Sequence, residues 1–222
     1  MNKPRINSRG ISLVEMLVLI GVISILLVLC LTQFGALIER SRSAECTQHL
    51  RQIGSLFHTY TAENPGIVRL FRDGSQNGHL RWYNLLKETA GMGKEEAQRA
   101  FGCPSLPAKD VGDWFCYGFR AGGLPGVRVT GGLYELSIHA VEQPSRFFLA
   151  GDTMAISNAK QTFRIIPPGL FNNDAGIHLR HRGYANMLFL DGHVEAMNFE
   201  MLADVGIEEA LGPEKERLKT SK

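Results

Sequence analysis

Charge is missing from one long stretch of this chain. From Met16 to Leu31 there is no acidic or basic residue, and the only polar interruptions are Gly21, Ser24 and Cys30. A surplus of either sign is missing from the remainder as well. The formal charge is +2, and Lys3, Arg5 and Arg9 all precede the apolar run, so the chain beyond residue 10 carries +2 − 3 = −1. A body so near neutrality has no basic face for phosphate backbones, which excludes a nucleic-acid partner. Cysteine is scarce at 4 residues, and no CxxC pair exists, so the sequence gives no local zinc motif and no metal ligand set is expected. There is no GxSxG, HExxH or GxxxxGK[ST] segment, and Cys103 has no identifiable base. No catalytic residue is assigned, and the chain reads as the substrate of an enzyme rather than as one.

What is present begins with the leader. Three basic residues are followed by apolar sequence from Ile11 to Leu31, close to the roughly 20 residues that span a bilayer. No A-x-A-like cleavage site lies between Leu26 and Leu37, which favours a retained anchor over a secretory signal. No basic residue follows until Arg40, so the basic leader places the N-terminus in the cytoplasm and everything after Leu37 across the membrane. Glu15 stands out. A charge in hydrocarbon costs about 2.5–3.5 kcal/mol on insertion scales, so it needs a partner.

The arrangement Arg9-Gly10 followed by Ile11-Ser12-Leu13-Val14-Glu15 resembles the processing site of type IV prepilins and type II secretion pseudopilins. The resemblance implies cleavage by a membrane prepilin peptidase after Gly10 and methylation of the new amine on Ile11. It also implies an assembly ion pair between Glu15 and the Ile11 amine of a neighbouring subunit, which would neutralise the carboxylate. Ile11 stands where the family usually has Phe. Thr32 and Gly35 stand where many members have a helix-kinking proline.

Further along, Cys46, Leu50, Ile53, Phe57 and Tyr60 recur at helical spacing, opposite Gln48, Arg51, Gln52 and Ser55. Asn64-Pro65-Gly66 stops this pattern. A continuous helix from Ile11 to about Ala62 would be roughly 78 Å long; the alternative is two helices broken near Gly35. Leu80 to Thr89 and Lys94 to Phe101 read as short helices, with Trp82, Leu85 and Leu86 as apolar contacts. The glycine-rich run from Gly118 to Gly132 reads as loops. Strand patterns appear at Arg146 to Ala150 and Thr162 to Ile166. Ser137 to His139 reads as ordinary strand. Ala185 to Met197 reads as a hairpin with Asp191-Gly192 as a two-residue turn. That turn pairs Leu190 with His193, Phe189 with Val194 and Met187 with Ala196, giving an apolar face to cover the amphipathic helix. FEMLADVGIEEAL reads as a short helix and GPEKERLKTSK as a mobile charged tail.

His181, nine residues, then Asp191-Gly192 is similar to the signature of a prepilin-type H-x9-DG family. CTQHLRQIGSLFHTYTAEN from Cys46 and FGCPS from Phe101 are similar to it too. The implied fold class is α+β and pilin-like. A long N-terminal helix, transmembrane then amphipathic, packs on a small antiparallel sheet with irregular loops. The implied organisation is a cytoplasmic leader (1–10), a transmembrane half-helix (11–37), an amphipathic half (38–62), a periplasmic head (63–200) and a charged tail (201–222). The implied partners are prepilin peptidase, other copies or related pseudopilins, an inner-membrane assembly platform and the lipid bilayer.

Three cysteines, Cys46, Cys103 and Cys116, would meet an oxidising periplasm, while Cys30 serves as a small apolar residue of the span. Connectivity does not follow from sequence; Cys46–Cys103, tying helix to head, is slightly favoured over Cys103–Cys116. His178, His181, Asp191 and His193 fall near one another, but hydrogen bonding and turn geometry account for them better than a transition metal does. No cofactor is required. The resemblance leaves room for a structural calcium, for which Asn172, Asn173 and Asp174 offer oxygens. The rival reading is a single-pass anchored periplasmic binding domain that does not polymerise. An anchored metallohydrolase using His181 ranks below it.

Overall fold

The reciprocal cap that starts the first helix is local chemistry. Ser12 Oγ accepts the Val14 N–H at 3.3 Å, and Glu15 Oε2 accepts the Ser12 N–H at 2.8 Å. This is a Ser-x-x-Glu capping box, a role for Glu15 that reading it only as a charge in lipid overlooks. The structure, a computed structural model, describes residues 12–72, 81–106, 110–112, 115–122, 127–130, 133–170, 172 and 174–220. It is mixed α+β, with one long apolar N-terminal helix and small sheets.

Helix α1 runs Leu13–Glu63, with Gly35 inside it. The chain divides into two units, one ending at Glu39 and the other spanning Arg40–Lys222. In the first unit the helix is apolar on all sides: Leu13 is 82% exposed, and Leu17, Ile20, Ile25 and Leu31 are all more than half exposed. A helix apolar all round is made for lipid or for other helices, and this one is long and apolar enough to cross a membrane.

In the second unit the stripe is buried as its spacing requires. Cys46, Leu50, Ile53 and Phe57 are all buried, with Tyr60 packed beside them. Gln48, Arg51, Gln52 and Ser55 face solvent. The stripe lies on a five-stranded sheet of β2 (Gly118–Arg120), β5 (Phe148–Gly151), β7 (Arg164–Ile165), β9 (Ala185–Phe189) and β10 (Val194–Met197), in the order β10-β9-β5-β2-β7. Its pairs are antiparallel except β2 with β7. Helix and sheet approach tightly at Gly54, where a methyl group would stand 3.0 Å from Leu188 Cδ1.

The hairpin register differs from the expectation by one residue. Val194 lies opposite Leu188 and Met197 opposite Ala185. Within this turn only Gly192 has positive φ, +93°. The turn therefore closes through a Gly192 N–H to Phe189 carbonyl bond of 3.0 Å, and Phe189 N–H donates to the His193 carbonyl at 2.9 Å. This is a three-residue loop with glycine in the left-handed position, not the two-residue turn expected. The face assignment changes too. Every residue of β9 is buried. Leu188 and Leu190 join the core under α1, while Met187 and Phe189 face a second core with Leu202 and Ile207. Because α4 (Phe199–Asp204) covers the far side, one-sided alternation was the wrong template for this strand.

The remaining elements frame these cores. Helices α2 (Trp82–Thr89) and α3 (Lys94–Ala100) start or end slightly inside their expected ranges. Trp82 stacks on Phe119 with centroids 4.3 Å apart and donates its indole N–H to the Phe163 carbonyl at 3.0 Å. Strands β1 (Ile67–Arg72), β3 (Val127–Thr130) and β4 (Leu133–Ser137) make a three-stranded sheet, and β4 passes into a 3-10 turn at Ile138–Ala140. β3 and β4 lie in or just after the glycine-rich run read as loops. Strands β6 (Thr153–Ala155) and β8 (Ala175–Ile177) pair. The tail expected to be mobile forms a hairpin instead. β11 (Glu209–Leu211) pairs with β12 (Arg217–Lys219), closed by a Lys219–Glu209 ion pair of 2.9 Å. Ala210 and Leu211 of this hairpin are buried in the head, a contact no local pattern announces.

Candidate functional site

Four segments far apart in sequence deliver polar side chains to one closed point. The stripe of α1 brings Cys46; the loop after α3 brings Cys103; the junction of β5 and β6 brings Asp152; the turn after β8 brings His181. All four are buried, and one ligand-capable atom from each lies within 4.8 Å of those of the others. The Cys46 sulfur is 3.5 Å from both Asp152 carboxylate oxygens. His181 Nε2 stands 3.4 Å from the Cys103 sulfur and 3.3 Å from Asp152 Oδ2.

Each group is held from behind. Asp152 Oδ2 accepts the Asn186 N–H at 2.9 Å. The Asn186 side chain reaches Thr47 Oγ1 at 3.3 Å and Ser43 Oγ at 3.4 Å, which fixes the carboxylate to α1. The Cys103 N–H donates to Gln161 Oε1 at 2.8 Å. Arg180 Nε lies 3.8 Å from Asp152 Oδ1, and an Nη donates to the Thr153 carbonyl. The Tyr117 hydroxyl lies beside the Cys46 sulfur. Left-handed residues shape the turn that presents His181: Arg182 has φ +58° and Gly183 +87°.

The electrostatics follow from burial working against close charges. Burial, then the neighbouring Cys103 and Asp152, push the Cys46 thiol well up. Burial opposes ionisation of Cys103, but the hydrogen bond from Cys46, the charge of Arg180 and the hydrogen bond with His181 carry it down to about 5. Burial likewise opposes the imidazolium of His181, yet Asp152 and Cys103 raise it to about 10. Asp152 is lowered despite burial, by Arg180 and His181. The point therefore gathers ionisable groups of both signs away from water, a costly arrangement.

The residues Cys103, His181 and Asp152 name a nucleophilic triad, but their geometry is not that of one. In a triad the carboxylate orients the imidazole through the nitrogen opposite the nucleophile. Here thiol and carboxylate both stand at Nε2.

The other sequence-predicted residues lie elsewhere. Gly10 and Ile11, the expected cleavage and methylation positions, lie outside the described residues. Glu15 caps α1. The favoured Cys46–Cys103 pair is brought together as two free thiols rather than as a bridge; Cys116 is buried in the same core. Of the H-x9-DG residues, His181 enters the buried point, while Asp191 and Gly192 make the hairpin tip, where Asp191 Oδ1 meets His193 Nδ1 at 2.6 Å. His178 is buried, and burial followed by the charge of Arg180 lowers it to about 4, so it is neutral. The grouping of His178, His181, Asp191 and His193 read from sequence therefore comes apart. Both Asp174 oxygens accept from Ser157, at 2.8 Å each, and Asn173 lies outside the described residues. Asp152 was missed entirely; its one sequence signal was its place after an apolar strand, in Gly151-Asp152-Thr153.

No family model matches this chain, and no curated protein or solved structure is significantly similar to it.

Proposed function

We propose that the protein is a pseudopilin-like filament subunit. It is made as a prepilin, cut after Gly10, methylated on Ile11 and anchored in the inner membrane with its leader in the cytoplasm and its head in the periplasm. It is then assembled in a type II secretion-like or type IV pilus-like system. One observation carries the reading: a helix apolar on every side opens with a glutamate in its first turn, directly after Arg9-Gly10. Exposed apolar side chains all round need lipid before assembly and neighbouring helices after it. The chain acts as a substrate of processing rather than as an enzyme, and its mechanism is packing of the apolar helices with Glu15 setting register. The pilin-like description of the fold, with its head laid on the amphipathic half of α1, belongs to the same proposal.

The deciding experiment is intact mass and N-terminal sequence of the protein from its native membrane. A chain beginning at N-methylated Ile11 supports the proposal; one retaining residues 1–10 overturns it. A second reading, a single-pass anchored binding domain that does not polymerise, is favoured by the Ser12–Glu15 cap, which gives the carboxylate a use without any neighbour. Glu15→Ala separates the two: assembly is lost under the first and unaffected under the second.

A further inference from the structure

The geometry points to a structural zinc site formed by Cys46, Cys103, Asp152 and His181, which pins the amphipathic part of α1 to the head. This goes beyond the filament reading and does not depend on it.

The argument begins with the donor set. Two thiols, an imidazole and a carboxylate suit zinc, which takes sulfur, nitrogen and oxygen together in four-coordinate sites. Spacing agrees. Zinc bonds of about 2.3 Å to sulfur and 2.0–2.2 Å to nitrogen and oxygen put tetrahedral ligand atoms about 3.3–3.8 Å apart. Three of the six separations, 3.3, 3.4 and 3.5 Å, fall in that range, and all six lie within 4.8 Å, so an ion would draw the set together. Direction agrees as well. A single N–H on Nε2 can point at the Cys103 sulfur or at Asp152 Oδ2, not both, whereas a lone pair aimed between them meets one common ion.

Charge closes the account. Two thiolates and a carboxylate give three negative charges; Zn2+ and the buried Arg180 guanidinium beside Asp152 give three positive ones. The outer layer is of the kind that fixes metal ligands: Asn186 N–H on the carboxylate, Gln161 on the Cys103 backbone, and Asn186 again to Ser43 and Thr47 on α1. Protein supplies all four positions and seals them from solvent, which marks a structural rather than a catalytic zinc.

The sequence reading rested on CxxC spacing, while here each ligand comes from a different segment. The rival use of the same sulfurs is a Cys46–Cys103 disulfide, and the two are mutually exclusive.

The test uses the full chain purified in detergent without chelator. Elemental analysis is expected to give about one zinc per chain, with Cys46 and Cys103 unreactive to a thiol reagent until zinc is stripped. The Co2+-exchanged protein is expected to show intense tetrahedral visible bands and thiolate-to-cobalt charge transfer in the near-ultraviolet. His181→Ala and Cys103→Ser should reduce zinc below about a tenth per chain. Should those variants fail to fold, the cobalt spectrum of the unaltered chain decides alone. Weak octahedral bands, no bound metal after exposure to Zn2+, or a Cys46–Cys103 disulfide in peptide mapping would each overturn the proposal.

Discussion

The sulfur of Cys46 lies 3.5 Å from both carboxylate oxygens of Asp152, 106 positions along the chain. Asn186 maintains this, with its N–H on Asp152 and its amide on Ser43 and Thr47 of α1. Asn186→Ala removes the side-chain bonds and leaves the backbone one. It is expected to cost about 1 kcal/mol of stability in denaturant unfolding. A loss beyond 4 kcal/mol, roughly what removing one member of a buried ion pair costs, would show that the amide carries more than this geometry assigns it.

Gly54 and Leu188 mark where α1 meets β9. Gly54→Val forces a branched side chain onto Leu188 and should destabilise by about 1–3 kcal/mol. Leu188→Ala in the same chain should recover part of that loss, and Met187→Ala, on the opposite face, should recover none. Equal behaviour of the two double variants would contradict the face assignment of β9.

Arg120 is a buried cation with no anion beside it among the described residues. Its guanidinium lies 4.1 Å from the centroid of Phe148 and 4.7 Å from that of Phe147, and among the described residues none of its nitrogens has a hydrogen-bond partner. Burial pushes its pKa down to about 10. For a base lowered on folding, the burial cost is fully present below the folded pKa and fades only above it, so it applies in full at neutral pH. Arg120→Met, which keeps the volume and removes the charge, is expected to raise stability by on the order of 1 kcal/mol in thermal unfolding. A marked fall in Tm would show that the ring contacts outweigh the desolvation cost.

At the hairpin tip, Asp191 titrates below the ordinary carboxylate value. Burial, the largest single cause, opposes this, and the His193 side chain and backbone N–H together outweigh it. A carboxylate lowered on folding contributes stability above its unfolded pKa, and that contribution is lost as pH falls through the folded pKa. NMR titration of the Asp191 carboxyl should show the lowered value, and His193→Ala should return it upward. An unchanged midpoint in the variant would remove His193 as the cause.

Trp82→Phe keeps a ring against Phe119 but deletes the indole N–H to the Phe163 carbonyl. Because the Phe163 carbonyl keeps the Phe119 N–H at 3.0 Å, the loss should be that of one hydrogen bond, about 0.5–1.5 kcal/mol, read by urea unfolding against the unaltered chain.

The sequence by itself determined what short-range periodicity can encode. It marked the uncharged span from Met16 to Leu31, the stripe from Cys46 to Phe57 with its polar opposite face, and a reversal of the chain at Asp191-Gly192. These depend on neighbours within one or two turns. Tertiary structure decided the rest. It chose the hairpin register, because glycine alone takes the left-handed position and so lengthens the loop by a residue. It buried β9 on both faces by placing α4 behind it. It turned a charged tail into a hairpin by giving Ala210 and Leu211 a core. It brought Asp152 to Cys46, Cys103 and His181, because a convergent polar site is a property of where four separate segments cross, and no spacing along the chain records that crossing.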